Sequence, residues 1–114
     1  MQKQPLIIEQ RLRDMMQYGY IALRQFPKSE RHVLGAEIRS SMLTLLRLVI
    51  TASKRYHKKT TLADLDIELA VLQNQVRLAK DLAYLPINKY QHWSGLNVEI
   101  GKMIGGWLKH ERAA

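Results

Sequence analysis

The spacing of apolar residues is the feature of this sequence that most restricts its fold. Four long segments place apolar residues every three or four positions, which is the period of one face of an α-helix. Prolines occur only at positions 5, 27 and 86, and no segment alternates apolar and polar residues for long enough to indicate a strand. The sequence therefore predicts an all-α protein with helices roughly over 6–26, 30–58, 62–84 and 89–110.

The length of 114 residues favours one domain over residues 1–114. Short connections between long helices of similar length favour an antiparallel up-and-down four-helix bundle. In this interpretation the apolar face of the second helix continues to Tyr56, and that of the third helix continues to Ala83. Both residues are therefore expected in the core.

Three glycines lie close together in the segment IGKMIGGWLKHE, residues 100–111. Glycine destabilises a helix interior by about 1 kcal/mol relative to alanine. Because the apolar spacing continues in phase to Trp107, we expect the glycines to lie inside the fourth helix and to permit a close approach by another helix. That helix belongs either to the same bundle or to another subunit. In the second case Gly101, Gly105 and Trp107 form the oligomer interface.

Positive charge is concentrated in the first half of the chain. The formal net charge is +8; residues 1–60 contain 12 Lys and Arg against 4 Asp and Glu, whereas residues 61–114 contain 6 of each kind. Glu37 is the only acidic residue between Arg31 and Thr60, although a surface that serves only solubility usually mixes signs. This asymmetry favours binding to nucleic acid through backbone phosphates, with an ordinary solvated face as the alternative.

Two helical faces carry cations at spacings that suit phosphate binding. On the second helix, a sector of about 100° contains Arg39, Arg47, Lys54 and Lys58, and Arg55 and Lys59 extend it. On the first helix, Tyr20 lies between Arg13 and Arg24 on one face, where a tyrosine can stack on a base. The predicted nucleic-acid-binding residues are Arg13, Tyr20, Arg24, Arg39, Arg47, Lys54, Arg55, Lys58 and Lys59.

A separate candidate contact lies on the third helix. Arg77, with Gln73 and Lys80 nearby, is predicted to contact a partner protein or RNA. The alternative for Arg77 is an ion pair with Asp81, four residues further along the same helix.

The sequence lacks the residue patterns of the common enzyme and metal sites. It contains no Glu-x-x-His pair, phosphate-binding loop, dinucleotide fingerprint or nucleophile elbow. The histidines have no His-x-x-x-His pairing, and cysteine is absent. We therefore expect no catalytic residue, no metal and no cofactor. The N-terminal segment does not resemble a signal peptide, and Arg47 interrupts the longest apolar run, so a cytoplasmic protein without membrane association is expected.

Three segments, in this order, resemble the accessory variability determinant proteins of diversity-generating retroelements. They are FPKSERHVLG at 26–35, LQNQVRLAKDL at 72–82 and YQHWSGLNVEIGKMIGGWLK at 90–109. The similarity covers nearly the whole chain. A less close resemblance exists to the four-helix proteins encoded in ribosomal RNA intervening sequences, which share the bundle.

The resemblance implies a four-helix protomer that assembles into a homopentameric barrel and has no catalytic activity of its own. It further implies binding to a reverse transcriptase and to nucleic acid, in support of error-prone copying of a template RNA into cDNA. The family tends to carry arginines on the third helix in the form LRxxxR; Arg77 matches the second arginine, whereas Gln73 stands at the first. An RNA-associated protein of the intervening-sequence type and a scaffold that binds only protein are the alternative functions.

Overall fold

A computed structural model describes residues 4–113 of the chain, with side chains from residue 6 onward. Four long helices dominate it: α1 (Gln4–Leu23), α3 (Leu34–Lys54), α4 (Lys59–Asp81) and α5 (Ile87–Ala113). A single turn of helix, α2 (Lys28–Arg31), lies between α1 and α3. Residues 4–113 contain no strand, so the predicted all-α fold is confirmed.

The short connections determine how the helices run. Residues 55–58 join α3 to α4, and residues 82–86 join α4 to α5. A chain extends by at most about 3.5 Å per residue, so connections this short cannot return along a helix about 30 Å long. Helices α3 and α4, and likewise α4 and α5, are therefore antiparallel. Both α1 and α4 pack against α3 and against α5, so the four helices enclose one core in a body 46 Å long.

The core contains most of the residues that the helical spacing predicted, with two tryptophans as its largest members. Trp93 of α5 is fully buried, and its indole N–H donates a hydrogen bond to Met15 Sδ of α1 at 3.3 Å. A Cβ atom at Gly19 would lie 2.7 Å from the Trp93 ring, so a glycine is required there for the close approach of α1 and α5. Predicted core positions that are buried include Ile8, Leu12, Met15, Ala22, Phe26, Ile38, Met42, Leu45, Val49, Ala52, Leu65, Leu69, Leu72, Val76, Ala79, Ile100 and Ile104.

The helix predicted over 30–58 is interrupted near its beginning. Residues His32 and Val33 separate α2 from α3. The Arg31 guanidinium donates hydrogen bonds to the carbonyl oxygens of Phe26 and Arg24 at 3.0 and 2.6 Å. Arg39 donates to the carbonyl of Arg31 at 2.8 Å. Carbonyls near helix ends lack helical partners, and the two arginines satisfy three of them.

The α2 turn is also tied to the connection between α4 and α5. The rings of Phe26 and Tyr84 lie 5.8 Å apart. Partial burial, followed by the charge of Glu30 and hydrogen bonding to it, raises the pKa of Tyr84 above its ordinary value of 10.0. The ring contact between Phe26 and Tyr84 thus connects the segment that contains α2 to this end of the bundle.

The predicted helix over 30–58 also ends early, at Lys54. The Lys58 ammonium folds back and donates hydrogen bonds to the carbonyls of Ala52 and Arg55, at 2.7 and 2.5 Å. This cation compensates the negative C-terminal end of α3. Because the helix has already ended, Tyr56 is 90% exposed, and its predicted place in the core was wrong.

The third long helix ends before the predicted residue 84. Ala83 adopts a left-handed conformation with φ of 62°, and the Tyr84 N–H donates to the carbonyl of Ala79 at 2.9 Å. This is the Schellman arrangement that terminates a helix, with alanine at a position that glycine usually occupies. Ala83 is consequently exposed, so its predicted place in the core was also wrong.

Candidate nucleic-acid interface and partner pocket

A shallow groove between α1 and α3 contains the tyrosine and both arginines predicted on α1. Arg13, Tyr20 and Arg24 line it, together with Met16, Gln17, Ile21 and Leu46. Tyr20 is half-buried, whereas both arginines are exposed. The fold thus brings together an aromatic ring and two cations, as the spacing on α1 predicted.

The two arginines of this groove differ in their availability. Arg13 donates to Glu9 Oε1 at 2.7 Å and to Gln10 Oε1 at 3.2 Å, so a carboxylate of its own helix partly neutralises it. The Arg24 side chain makes no hydrogen bond or ion pair within residues 4–113. Arg24 is therefore the stronger candidate for a phosphate contact.

The outward face of α3 carries further cations without partners. Arg47 and Lys54 are exposed, and neither side chain has a hydrogen-bonding or ionic partner in the described part of the chain. Leu43 and Ile50 lie on the same face and are 53% and 42% exposed. The face therefore combines positive charge with apolar side chains.

Two cations of the predicted nucleic-acid set instead stabilise helix ends. Arg39 is half-buried and bonds to the Arg31 carbonyl, and Lys58 is half-buried and bonds to the end of α3. Their charged groups point at the backbone of the same molecule. Helical spacing places a side chain on a face, but it does not show that the side chain bends towards a nearby carbonyl.

The remaining two predicted cations lie in the turn between α3 and α4 and at the beginning of α4. Arg55 is exposed and donates to the hydroxyl of the buried Thr61 at 3.1 Å. Lys59 is the first residue of α4 and is exposed, and the first turn of that helix has no acidic residue. Positive charge at the positive end of a helix dipole is repulsive unless an anion lies nearby.

A polar pocket between α4 and α5 gathers the residues predicted to contact a partner. Gln73 and Arg77 line it, together with Tyr90, Ser94 and Asn97 among others. The Lys80 ammonium lies 4.9 Å from the centre of the Tyr90 ring, beside the same pocket. Asp81 pairs with Lys80 at 3.1 Å and not with Arg77, whose side chain is exposed.

Asn97 is a functional candidate that the sequence reasoning missed. It is fully buried, and neither atom of its amide has a hydrogen-bond partner among the described residues. Burying an unpaired amide costs about 1–3 kcal/mol. Its signal in the sequence is a polar residue at a core position, four after Trp93 and three before Ile100. A polar residue that weakens the core without a partner is a candidate for contact with a ligand or another protein.

A comparison with known protein families identifies the family of this chain. A family model described as bAvd-like matches residues 6–111. The chain belongs to the bAvd-like family. The resemblance to accessory variability determinant proteins is thereby confirmed, and it extends over nearly all of this bAvd-like chain. No curated protein matches the sequence.

The glycine segment of this bAvd-like protein faces two different environments. Trp107 is 1% exposed and packs in the core of the protomer. A Cβ atom at Gly101 would lie 3.3 Å from Leu69 Cδ2 of α4, so Gly101 belongs to the contact between α4 and α5. Gly105, by contrast, is exposed and has open space where its Cβ would be. Of the three residues predicted at the oligomer interface, only Gly105 lies on the surface.

Two further features of the bAvd-like chain bear on its chemistry. Residues 4–113 contain no group of three or more His, Cys, Asp or Glu side chains placed to hold a metal ion. None of the described helices combines the length and the apolar character that crossing a membrane requires.

Proposed function

We propose that this protein is a non-enzymatic accessory protein of a diversity-generating retroelement. It binds the reverse transcriptase and nucleic acid, acts in the cytoplasm, and supports mutagenic copying of template RNA into cDNA. The observation that carries this proposal is the match to the bAvd-like family over residues 6–111. The exposed cations of α1 and α3 support the nucleic-acid part of it.

The proposed nucleic-acid surface comprises those of the predicted nucleic-acid-binding cations that have no partner within the described structure: Arg24, Arg47, Lys54 and Lys59. They contact backbone phosphates, so binding depends strongly on salt and weakly on base sequence. Tyr20, Leu43 and Ile50 lie among them and offer aromatic and apolar surface. Such surface contacts bases, which are accessible in single strands, and this favours a single-stranded region of RNA or cDNA.

The pocket between α4 and α5 is the proposed contact for the polymerase. Arg77 supplies an exposed positive charge at the pocket, and Asn97 supplies an amide donor and an amide acceptor at its wall. This combination suits a carboxylate or amide side chain presented by a protein surface. Gln73 and Lys80 lie at the same place and complete the proposed site.

Assembly into a homopentamer is the third part of the proposal. A closed ring requires two different faces on each protomer. One candidate face is apolar and lies on the outside of α4, where Ile67, Val71 and Leu78 are 62%, 41% and 46% exposed beside Asp66. The other candidate face lies on α5, where Gly105 and Lys102 are exposed. The opposite charges of Asp66 and Lys102, and the close approach that Gly105 permits, favour contact between these two faces of neighbouring copies.

Co-purification with the reverse transcriptase of the same locus tests the function. We expect the wild-type protein to recover the polymerase after nuclease treatment and Arg77→Ala to lose it. Arg11→Ala is the matched control, since Arg11 is an exposed arginine of α1 outside all the proposed sites. Loss of the wild-type complex on nuclease treatment would indicate that RNA links the two proteins and that they do not contact each other directly. Recovery of no polymerase under either condition would reject the function.

The solution mass tests the assembly separately. We expect a pentamer for the wild type and a helical monomer for Val71→Glu and for Gly105→Leu. Ile87→Glu is the control, because Ile87 is 58% exposed and lies outside both faces. A wild-type monomer would reject the pentamer, and unfolding of Gly105→Leu would assign that glycine to the protomer.

A further inference from the structure

The turn between α3 and α4 presents an aromatic ring to solvent. Tyr56 is 90% exposed, whereas the other four tyrosines of the chain are half-buried. Its ring centre lies 4.8 Å from that of His57, with the two planes at 86°. The edge of one ring thus supports the other, and the remaining Tyr56 surface stays open.

Hydrogen bonds hold the backbone around this ring in place. Lys58 bonds to the carbonyls of Ala52 and Arg55, while the Arg55 side chain bonds to Thr61 at the start of α4. The turn is therefore anchored on both sides by its own cations. A turn whose backbone is held in advance loses little conformational entropy when a flat ligand stacks on its ring.

The surroundings of the ring are mainly positive. Tyr56 and His57 line a groove with Lys58, Lys59 and Thr60, to which the C-terminal part of α5 adds Glu111. Lys54 precedes the turn at the end of α3 and, like Lys59, is exposed and without a partner within residues 4–113. An exposed aromatic ring with a free lysine two residues before it and another three residues after it matches one base flanked by two phosphates.

We propose that Tyr56 stacks on a base of single-stranded nucleic acid while Lys54 and Lys59 contact the adjoining phosphates. This inference rests on the proposed nucleic-acid binding and adds a base-contacting position to it. Stacking tolerates every base, so the site distinguishes single strands from duplexes and does not read sequence.

Paired oligonucleotides separate stacking from charge. One is a single-stranded RNA 12-mer, and the other has the same backbone with abasic residues throughout. We expect Tyr56→Ala to weaken binding of the first by about tenfold, the effect of losing one stacked base, and to leave binding of the second unchanged. Tyr56→Phe keeps the ring and should bind both as the wild type does. Lys59→Ala should weaken both equally, because it removes a phosphate contact.

Fluorescence anisotropy gives both affinities, and circular dichroism verifies that the variants are folded. If Tyr56→Ala bound the base-containing strand as tightly as the wild type, the stacking site would be rejected and the nucleic-acid function would stand. If the wild type bound neither strand, both the stacking site and the nucleic-acid function would be rejected. If Tyr56→Ala lost only the polymerase in co-purification, Tyr56 would be a protein contact, and stacking would again be rejected.

Discussion

The cations near the break between α2 and α3 differ from those on the outer face of α3, although both belong to one basic segment of the sequence. Arg31 and Arg39 direct their guanidinium groups at backbone carbonyls. Arg47 and Lys54 are exposed and have no partner within residues 4–113. The first pair stabilises the fold, and the second pair is available to bind an anion.

The distance from a helix end explains much of this difference. Carbonyls near a helix end lack helical partners and accept hydrogen bonds from nearby cations. Arg47 lies in the middle of α3, where the carbonyls are already bonded within the helix. Lys54 is the last residue of α3, but the nearby carbonyls of Ala52 and Arg55 accept hydrogen bonds from Lys58 instead. A count of positive charges therefore overestimates the number of cations available to bind an anion wherever helix ends lie within the basic segment.

The largest expected effect follows from reversing the charge of the free pair. Arg47→Glu combined with Lys54→Glu should weaken binding of a single-stranded RNA on the order of a hundredfold at low salt and reduce the salt dependence. Fluorescence anisotropy at two salt concentrations measures both quantities. The control is Lys89→Glu with Arg112→Glu, which changes the net charge equally on α5. Equal losses in the two double variants would show that only the overall charge matters.

A smaller effect, on stability instead of binding, is expected at Arg31. Arg31→Met removes two hydrogen bonds from a charged donor to carbonyls and should lower the free energy of unfolding by about 2 kcal/mol. Urea denaturation measures this change, and RNA affinity should stay within about twofold of wild type. A large loss of affinity in a folded Arg31→Met would contradict the division between the two groups.

Lys58 tests the distinction between bonded and free cations, because it bonds to the end of α3 although Lys54 and Lys59 beside it have no partner. Lys58→Met should lower the free energy of unfolding by about 1 kcal/mol, since it leaves the Ala52 and Arg55 carbonyls without this donor. Thermal and urea unfolding measure the loss. Unchanged stability accompanied by a tenfold loss of RNA affinity would move Lys58 into the binding group.

The smallest effect is expected at Arg13. This residue is neither bonded to a backbone carbonyl nor without a partner, because it pairs with Glu9 on the surface. Arg13→Met should change the free energy of unfolding by less than about 0.5 kcal/mol, as exposed ion pairs contribute little. RNA affinity should fall by about threefold, less than for Arg24→Met, because the Glu9 carboxylate already neutralises Arg13 in part. Anisotropy titrations of the two single variants make this comparison directly.

The all-α class, the four long helices and most of the core were predictable from the sequence, because helical periodicity is a local property that the spacing of apolar side chains records. The sequence also placed Arg13, Tyr20 and Arg24 on one face for the same reason. Its errors at Tyr56 and Ala83 lie beyond helix ends, where periodicity continued but the backbone did not. The family resemblance, which the bAvd-like match over residues 6–111 confirms, was equally accessible from sequence.

Which polar groups lack hydrogen-bond partners depends on how the helices pack, and the sequence did not show this. Gln73, Arg77 and Asn97 come together because α4 and α5 pack side by side, and the missing partners of the Asn97 amide depend on what both helices place around it. Gly101 faces Leu69 while Gly105 faces open space for a similar reason. Hydrogen bonding and burial depend on neighbours distant in the chain or beyond a helix end, and helical spacing carries no information about them.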